Sequence, residues 1–285
     1  METVDRRSRW AAGATAGAGR PAAPRPEPPE SLQQAAPEAI LAWALAAFGE
    51  RVALCTSFQA DGMVILDMAW RLDPRLRVFT IDTGRLPPET YDFMEAVRRR
   101  YGLALSVVLP AADEVEAMVG RHGVNLFRDG VPLRRTCCDV RKVRPLARAL
   151  DRLGLDAWIT GLRRDQAASR VGTRAVAVDQ AHGGRLKINP LAGWTEGDVR
   201  AYLSANDVPR HPLYARGYGT VSCAPCTRAV APGEDARSGR WWWEVNAPME
   251  CGMHCSIETG GFEHELEAII GEAHEGQAAP AGAGA

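Results

Sequence analysis

The chain has 285 residues, of which 46% are hydrophobic and 24% charged, a composition typical of a globular protein with a substantial core. Its net charge of −1 does not favour a nucleic acid or a membrane surface as partner, so neither is predicted. No apolar run reaches membrane-spanning length, and the N-terminal segment lacks the apolar stretch of a secretory signal. We therefore expect a cytoplasmic protein.

The chain is predicted to have three parts. Residues 1–30 are rich in Ala, Gly, Pro and Arg, which is typical of a disordered extension. Residues 31–247 carry alternating strand and helix patterns and form the main domain. From about Pro248 the chain turns Gly-, Ala- and Glu-rich, so residues 248–285 are predicted to be a mobile C-terminal tail.

Strand and helix patterns alternate through the main domain. This order predicts an α/β fold, with a mostly parallel twisted sheet covered by helices on both faces. Cys55 lies in the first strand pattern and is predicted to be a plain core residue. The predicted strands are 51–57, 76–82, 103–110 and 156–161, and the predicted helices are 37–49, 62–72, 87–102, the latter part of 143–154, and 195–207.

Three polar loops follow predicted strands, namely SFQADG (57–62), IDTGR (81–85) and GLRRDQAASR (161–170). Ligands bind beyond the carboxyl ends of the strands in such sheets. Helix N-terminal amides in the first loop could hold a phosphate, and arginine forks in the third match phosphate or sulfate oxygens. An ordinary turn and a solvated charged face are the alternatives. The residues predicted to line one cleft are Ser57, Asp82, Thr83, Gly84, Arg163, Arg164 and Arg170.

Four of the seven cysteines fall in two pairs, Cys137 and Cys138 in TCCDVRKVRP and Cys223 and Cys226 in SCAPCTR. A reducing compartment argues against disulfides, so metal ligation is the better interpretation. Four bonds to one zinc ion are awkward for adjacent residues, whereas a cubane offers separate iron corners. The pairs therefore favour an iron–sulfur cluster. A thioredoxin-like dithiol at the C-x-x-C pair is the alternative, although it would not need the adjacent pair.

Two segments near the end of the chain are unusual. In RWWWE (240–244) adjacent tryptophans point in different directions, so we predict that they pack and anchor the base of the tail, with direct ligand contact as the alternative. In ECGMHC (250–255) Cys251 lies in a polar, glycine-containing segment rather than in an apolar strand. Such a thiol can meet both solvent and a partner, which indicates chemistry rather than packing.

These motifs together resemble the sulfonucleotide reductases, and among them the assimilatory adenylylsulfate (APS) reductases. The double cysteine with C-x-x-C is similar to the [4Fe–4S] branch, which typically uses APS, whereas the branch using the 3′-phosphorylated nucleotide (PAPS) typically lacks the quartet. Three departures stand out: no glycine follows the serine of the first loop, Ile81 replaces the more usual leucine, and Cys255 fits no family pattern. The resemblance spans residues 38–255 and rests on SFQADGMVIL, IDTGRLPPETY, CCDVRKVRPL, WITGLRRDQAASR, ARGYGTVSCAPCTR, GRWWWE and ECGMH.

The resemblance implies a fold like that of the adenine nucleotide alpha hydrolases. It also implies one [4Fe–4S] cluster per subunit, held by the four paired cysteines, with a structural and electrostatic role. Cys251 is then the nucleophile that attacks the sulfur of APS, and His254 could assist it. Thioredoxin or a similar dithiol would release sulfite from the resulting S-sulfocysteine. The cations expected to meet the sulfate are Lys142, Arg237 and Arg240.

Other functions stay open at this point. A PAPS-preferring or dual-specificity reductase would share most of these motifs. An ATP-using adenylyltransferase of the same fold, such as a tRNA-thiolating enzyme, usually carries an S-G-G-x-D-S loop, which SFQADG does not match. A non-catalytic cluster-binding regulator would have no need of Cys251. The sequence also leaves open whether the chain forms a homo-oligomer.

Overall fold

The structure, a computed structural model, describes residues 26–244 and residue 252. The described residues form a six-stranded sheet with the strand order β3-β2-β1-β4-β6-β5. Every neighbouring pair of strands runs parallel except β5 and β6, which are antiparallel. The strands are β1 (Val52–Cys55), β2 (Val78–Ile81), β3 (Leu105–Val108), β4 (Ala157–Ile159), β5 (Val176–Asp179) and β6 (Arg185–Ile188).

The helices begin and end where local chemistry favours it. Pro88 opens the third helix, where a missing N–H costs nothing, and Gly102 ends it in the left-handed conformation. Thr195 caps the helix Glu196–Ala205 by accepting a hydrogen bond from the Asp198 amide. The helices are α1 (Pro37–Phe48), α2 (Ala60–Leu72), α3 (Pro88–Tyr101), α4 (Ala112–His122), α5 (Val131–Cys138), α6 (Arg144–Arg152) and α7 (Glu196–Ala205), and a π-helical turn (Asp139–Val143) joins α5 to α6.

Helices cover both faces of the sheet. On one face Leu54 of β1 and Ile188 of β6 share a buried apolar cluster with Ile65 of α2. On the other face Leu146 of α6 packs in a second cluster with Trp158 of β4. Burial of this apolar surface is the main stabilising contribution to such a fold. The predicted α/β fold with helices on both faces is confirmed.

Several elements were missed by the sequence analysis. They are α4, α5 and the antiparallel pair β5–β6, which turns through Gly183 and Gly184, both with positive φ. The first strand is also shorter than predicted, because residues 56 and 57 already belong to the loop beyond β1. The missed pair places an antiparallel strand at one edge of the otherwise parallel sheet.

The predicted terminal segments are mostly outside the described residues. Glu30, the last residue of the predicted extension, begins a short 3₁₀-helix and forms an ion pair with Arg174. Cys251, His254 and Cys255 lie outside the described part of the chain. Over residues 26–244, no helix is both long and apolar enough to cross a membrane.

Candidate active site

A cleft of about 670 Å³ opens at the carboxyl ends of β1, β2 and β4. This is where a parallel sheet gathers its loops and places its ligand sites. The cleft walls come from the first and third polar loops, from α7 and from residues 218–222. Most of the residues predicted from the sequence to bind substrate line this cleft, namely Ser57, Thr83, Lys142, Arg163, Arg170, Arg237 and Arg240.

Three predicted residues, Asp82, Gly84 and Arg164, are not among those lining the cleft. The Asp82 carboxylate accepts hydrogen bonds from the Gly84 amide at 2.8 Å and from the Tyr91 hydroxyl at 3.0 Å. It therefore shapes the turn after β2, where Gly84 has a φ of +69°. Arg164 donates from Nε to the Thr173 carbonyl at 2.9 Å. Its side chain fastens the loop that leads to β5.

The first loop is held by contacts within the protein. Phe58 has a φ of 58°, and its amide donates to Oγ1 of Thr56 at 3.0 Å. The amide of Ala60, the first residue of α2, donates to the Tyr214 hydroxyl at 3.1 Å. One amide of the predicted phosphate site at this helix N-terminus therefore already has a protein acceptor.

Tyr214 is a cleft residue that sequence analysis missed. Its hydroxyl oxygen accepts the Ala60 amide, which leaves the hydroxyl proton for another acceptor. Burial raises the pKa of Tyr214 well above its ordinary value, so the hydroxyl stays protonated at neutral pH. No local motif distinguishes this tyrosine, because its partner lies 154 positions earlier in the chain.

Two glycines allow the cleft loops to pack closely. A Cβ atom at Gly62 would lie 2.3 Å from Oγ1 of Thr56, and one at Gly161 would lie 2.9 Å from Cβ of Asp61. Both distances are shorter than real Cβ contacts. Gly161 thus lets the third loop approach the first, and Gly62 lets the start of α2 pack against Thr56. Only glycine fits at these two positions without a shift of the neighbours.

Arg163 is a buried cation whose charge is balanced inside the protein. Its guanidinium forms ion pairs with Asp61 of α2 and with Asp165. Gln166 donates to the second oxygen of Asp61 at 3.1 Å. Burial raises the pKa of Asp61, while Arg163 opposes that rise. Arg163 therefore ties the two loops together, and little of its charge is left for an anionic ligand.

The cleft also carries cations outside the third polar loop. Lys142 lies on the π-helical turn and is 8% exposed, and its Nζ donates to Oγ of Ser222 at 2.9 Å. Arg237 and Arg240 line the same cleft. The π-helical turn directly follows Cys138, and such turns occur frequently at functional sites. These cations suit the binding of an oxyanion.

The four paired cysteines line one small pocket, which Lys142 also lines. All four have reduced, buried thiols and belong to a single cluster of packed side chains. Lys142 lines both this pocket and the cleft, so the two cavities share a wall. The Thr83 hydroxyl, which also lines the cleft, lies 3.2 Å from Sγ of Cys223. The pocket is lined by Cys137, Cys138, Cys223 and Cys226 together with Arg85, Phe127, Arg134, Arg141, Lys142, Pro225 and Trp241.

The chemistry of the pocket fits a thiolate-bound metal group. Burial raises the pKa of Cys137, and it raises that of Cys226 to about 11. Lys142 opposes the rise at both thiols, and the cations around the pocket would favour thiolates bonded to a metal. Among the described residues, no group of three or more His, Cys, Asp or Glu side chains has the geometry to hold a single metal ion.

The tryptophans of RWWWE have different environments. Trp241 is buried against the cysteine pocket, and Trp243 packs on Phe127 with ring centroids 6.0 Å apart. Trp242 is partly exposed. The predicted packing is thus observed for Trp241 and Trp243.

Comparison with known proteins identifies the family of this chain. The family model described as the phosphoadenosine phosphosulfate reductase domain matches residues 51–229. An adenosine 5′-phosphosulfate reductase of Burkholderia cepacia is 45% identical over 218 residues, which cover 75% of this chain and 86% of the relative. A protein of the same name from Allochromatium vinosum is 45% identical over 205 residues, covering 72% of this chain and 79% of that protein.

A solved structure supports the same relationship. It is the phosphoadenylyl-sulfate (PAPS) reductase of Candida auris, determined as a phosphate complex. It has a TM-score of 0.60 and 31% sequence identity to this chain, with 70% of this chain and 93% of that chain covered. The resemblance that the sequence motifs indicated is confirmed. The chain belongs to the PAPS/APS reductase family, whose members are oxidoreductases, and it stands with the adenosine 5′-phosphosulfate reductases of that family.

Proposed function

We propose that the protein reduces APS to sulfite and AMP in sulfate assimilation, with thioredoxin or a similar dithiol as the reductant. One observation carries the proposal. A cleft large enough for a nucleotide shares its cationic wall, through Lys142, with a pocket of four buried thiols. The names of the relatives agree with this activity.

The distribution of charge suggests how APS would lie in the cleft. Carboxylates balance the buried Arg163, so it offers little charge to an anionic group. Lys142, Arg237 and Arg240 also line the cleft and suit the phosphosulfate. The Tyr214 hydroxyl is a further donor for the nucleotide. In this arrangement the sulfate would lie next to the cysteine pocket.

The proposed chemistry has two half-reactions at Cys251. In the first, the Cys251 thiolate attacks the sulfur of APS, the bond from sulfur to the bridging oxygen breaks, and AMP leaves with that electron pair. In the second, a thiolate of reduced thioredoxin attacks Sγ of Cys251, and sulfite leaves. The second thiol of thioredoxin then displaces Cys251, which leaves oxidised thioredoxin. The two electrons that reduce the sulfate group thus come from the dithiol.

The cations of the cleft would serve the first half-reaction. Two anions, the thiolate and the phosphosulfate, must approach each other, and Lys142 with the two arginines would lower the cost. His254 could assist at Cys251. We keep the prediction that residues 248–285 form a mobile tail carrying Cys251, because the nucleophile must meet APS and then thioredoxin in turn. The reductant also favours a cytoplasmic location.

The four cysteines would hold one [4Fe–4S] cluster in this proposal. The residues fit such a group, because four buried thiols with cationic neighbours face one pocket. When bound, the cluster would supply a fixed electrostatic field beside Lys142 without changing its oxidation state. Thr83 would contact its cysteine ligand Cys223 from the cleft side.

Anaerobic purification with iron analysis and a sulfite assay tests the proposal. Wild-type protein should contain four irons per chain on average and release sulfite from APS when reduced thioredoxin is present. Without reductant it should release about one AMP per site and gain a sulfo group on the peptide that contains Cys251. Cys251→Ser should keep the cluster but form no adduct, and Cys255→Ser should still form it. Normal sulfite release by Cys251→Ser would refute the mechanism.

A second candidate, reduction of PAPS, is favoured by the similarity to the Candida auris enzyme, which is named a PAPS reductase. Parallel assays with APS and PAPS compare the two values of kcat/KM directly. We expect kcat/KM for APS to be larger than kcat/KM for PAPS. Release of sulfite from APS in these assays would also exclude a tRNA-thiolating enzyme and a non-catalytic regulator, because neither carries out that reaction.

A further inference from the structure

We propose that a buried ion pair, Arg134–Glu244, braces the two cysteine pairs against each other and thereby keeps the pocket formed when no cluster is bound. This inference rests on the proposed function, because it gives the pocket a resident cluster. Cys137 and Cys138 come from α5, whereas Cys223 and Cys226 come from a loop almost ninety positions later. Something in the fold must hold these two distant segments together.

The pair itself is deeply buried. The Arg134 side chain is 0% exposed and that of Glu244 is 4% exposed. Nε of Arg134 donates to Oε1 of Glu244 at 2.6 Å. Two charges removed from water in this way need close and fixed geometry to be tolerated. The pair therefore fixes the position of the segment ending at Glu244 relative to α5.

Arg134 acts on the first cysteine pair through its place on α5. It lies three and four positions before Cys137 and Cys138, so all three share one face of the helix. Arg134 also lines the cysteine pocket. Its guanidinium lies 3.9 Å from the centre of the Trp241 ring, a distance typical of cation–π contact.

The segment from Trp241 to Glu244 acts on the second cysteine pair. The Trp241 amide donates to the carbonyl of Cys226 at 3.2 Å, and Thr227 forms a β-bridge with Arg240. The Glu244 amide in turn donates to the Trp241 carbonyl at 2.8 Å. A continuous path of contacts thus runs from α5 through Arg134, Glu244 and Trp241 to the C-x-x-C loop.

Loss of either partner should loosen this path. Glu244→Gln keeps the shape of the side chain but removes the carboxylate charge that the buried Arg134 guanidinium contacts, which is unfavourable. Arg134→Met leaves the Glu244 carboxylate buried without its Arg134 partner. If the two residues act as one brace, the double variant should be no worse than the more damaged single variant.

The test uses the full-length protein purified anaerobically with its cluster. A ferrous chelator is added, and loss of the cluster is followed by its visible absorbance. In Glu244→Gln and in Arg134→Met the loss should be roughly tenfold faster or more than in wild type. The matched control is the ion pair Arg228–Glu234, which is 38% exposed on each side and lies just beyond the C-x-x-C loop. Arg228→Met and Glu234→Gln should lose the cluster at the wild-type rate.

A second measurement does not depend on the cluster. In metal-free protein the four pocket cysteines are alkylated with iodoacetamide and counted by peptide mass spectrometry. The brace variants should label these cysteines roughly tenfold faster, while Cys55, in β1, keeps its wild-type rate. Wild-type rates in both assays, or an equal acceleration at Cys55, would overturn the proposal. If wild-type protein lacks the visible absorbance of the cluster, the proposed cofactor is wrong. The alkylation rates of the metal-free protein then still test the brace.

Discussion

Lys142→Ala is expected to lower kcat/KM for APS by roughly a hundredfold. Lys142 is 8% exposed, so water screens its charge only weakly. For unit charges about 4 Å apart at an effective dielectric constant of about 20, the attraction is about 4 kcal/mol. The cost of desolvating the ammonium group offsets part of this. A net loss of about 2.7 kcal/mol in the transition state corresponds to the hundredfold decrease.

The assay is anaerobic release of sulfite from APS, with rates expressed per bound cluster, because Lys142 also lines the cysteine pocket. Two controls separate charge from packing. Ser222→Ala removes the hydroxyl that receives the Lys142 ammonium but keeps the cation. Arg164→Ala removes a cation that does not line the cleft. Both should retain kcat/KM within about threefold. An unchanged value in Lys142→Ala, or an equal loss in Arg164→Ala, would refute the reasoning.

Three further predictions concern Gly62, Tyr214 and Cys55, which all line the cleft; Cys55 is therefore not the plain core residue that the sequence predicted. Gly62→Ala should lower the free energy of unfolding by about 1–3 kcal/mol in urea titrations, because its Cβ would meet Oγ1 of Thr56 at 2.3 Å. Tyr214→Phe should weaken AMP binding by roughly tenfold in calorimetry, because the hydroxyl is lost both as a donor in the cleft and as the acceptor of the Ala60 amide. Burial raises the pKa of Cys55 to about 12, so the folded state holds the thiol proton more tightly than the unfolded chain does. The resulting stabilisation of the folded state is complete below pH 9 and is lost as the pH rises toward 12. Between pH 9 and pH 12 the free energy of unfolding should therefore fall less steeply in Cys55→Ala than in wild type.

The parallel part of the fold could be predicted because its signals are local. Short apolar runs alternate with amphipathic segments, and caps such as Thr195 mark where helices begin. The pair β5–β6 was missed although Gly183 and Gly184 mark its turn. Helix α5 was missed because it is only eight residues long and is followed at once by the π-helical turn. So short a helix shows little of its period in the sequence.

The candidate site could be predicted only where residue type alone indicates chemistry. The cysteine pairs were found because thiols in such spacing have few other uses. The role of Arg163 was not visible, because its partner Asp61 lies 102 positions away in the chain. Arg164 was grouped with it by composition, yet the neighbouring side chain binds the Thr173 carbonyl instead. In an irregular loop no period tells which of two adjacent arginines faces a ligand.

The contact between Gly161 and Asp61 bears on how this family can diverge. A Cβ at position 161 would lie only 2.9 Å from Cβ of Asp61, so a residue other than glycine at 161 needs a change at position 61 that removes this contact. Mutations at these two sites should therefore be epistatic, with effects that do not add. A deep mutational scan should recover replacements of Gly161 only together with substitutions at position 61, with the single replacements of Gly161 depleted.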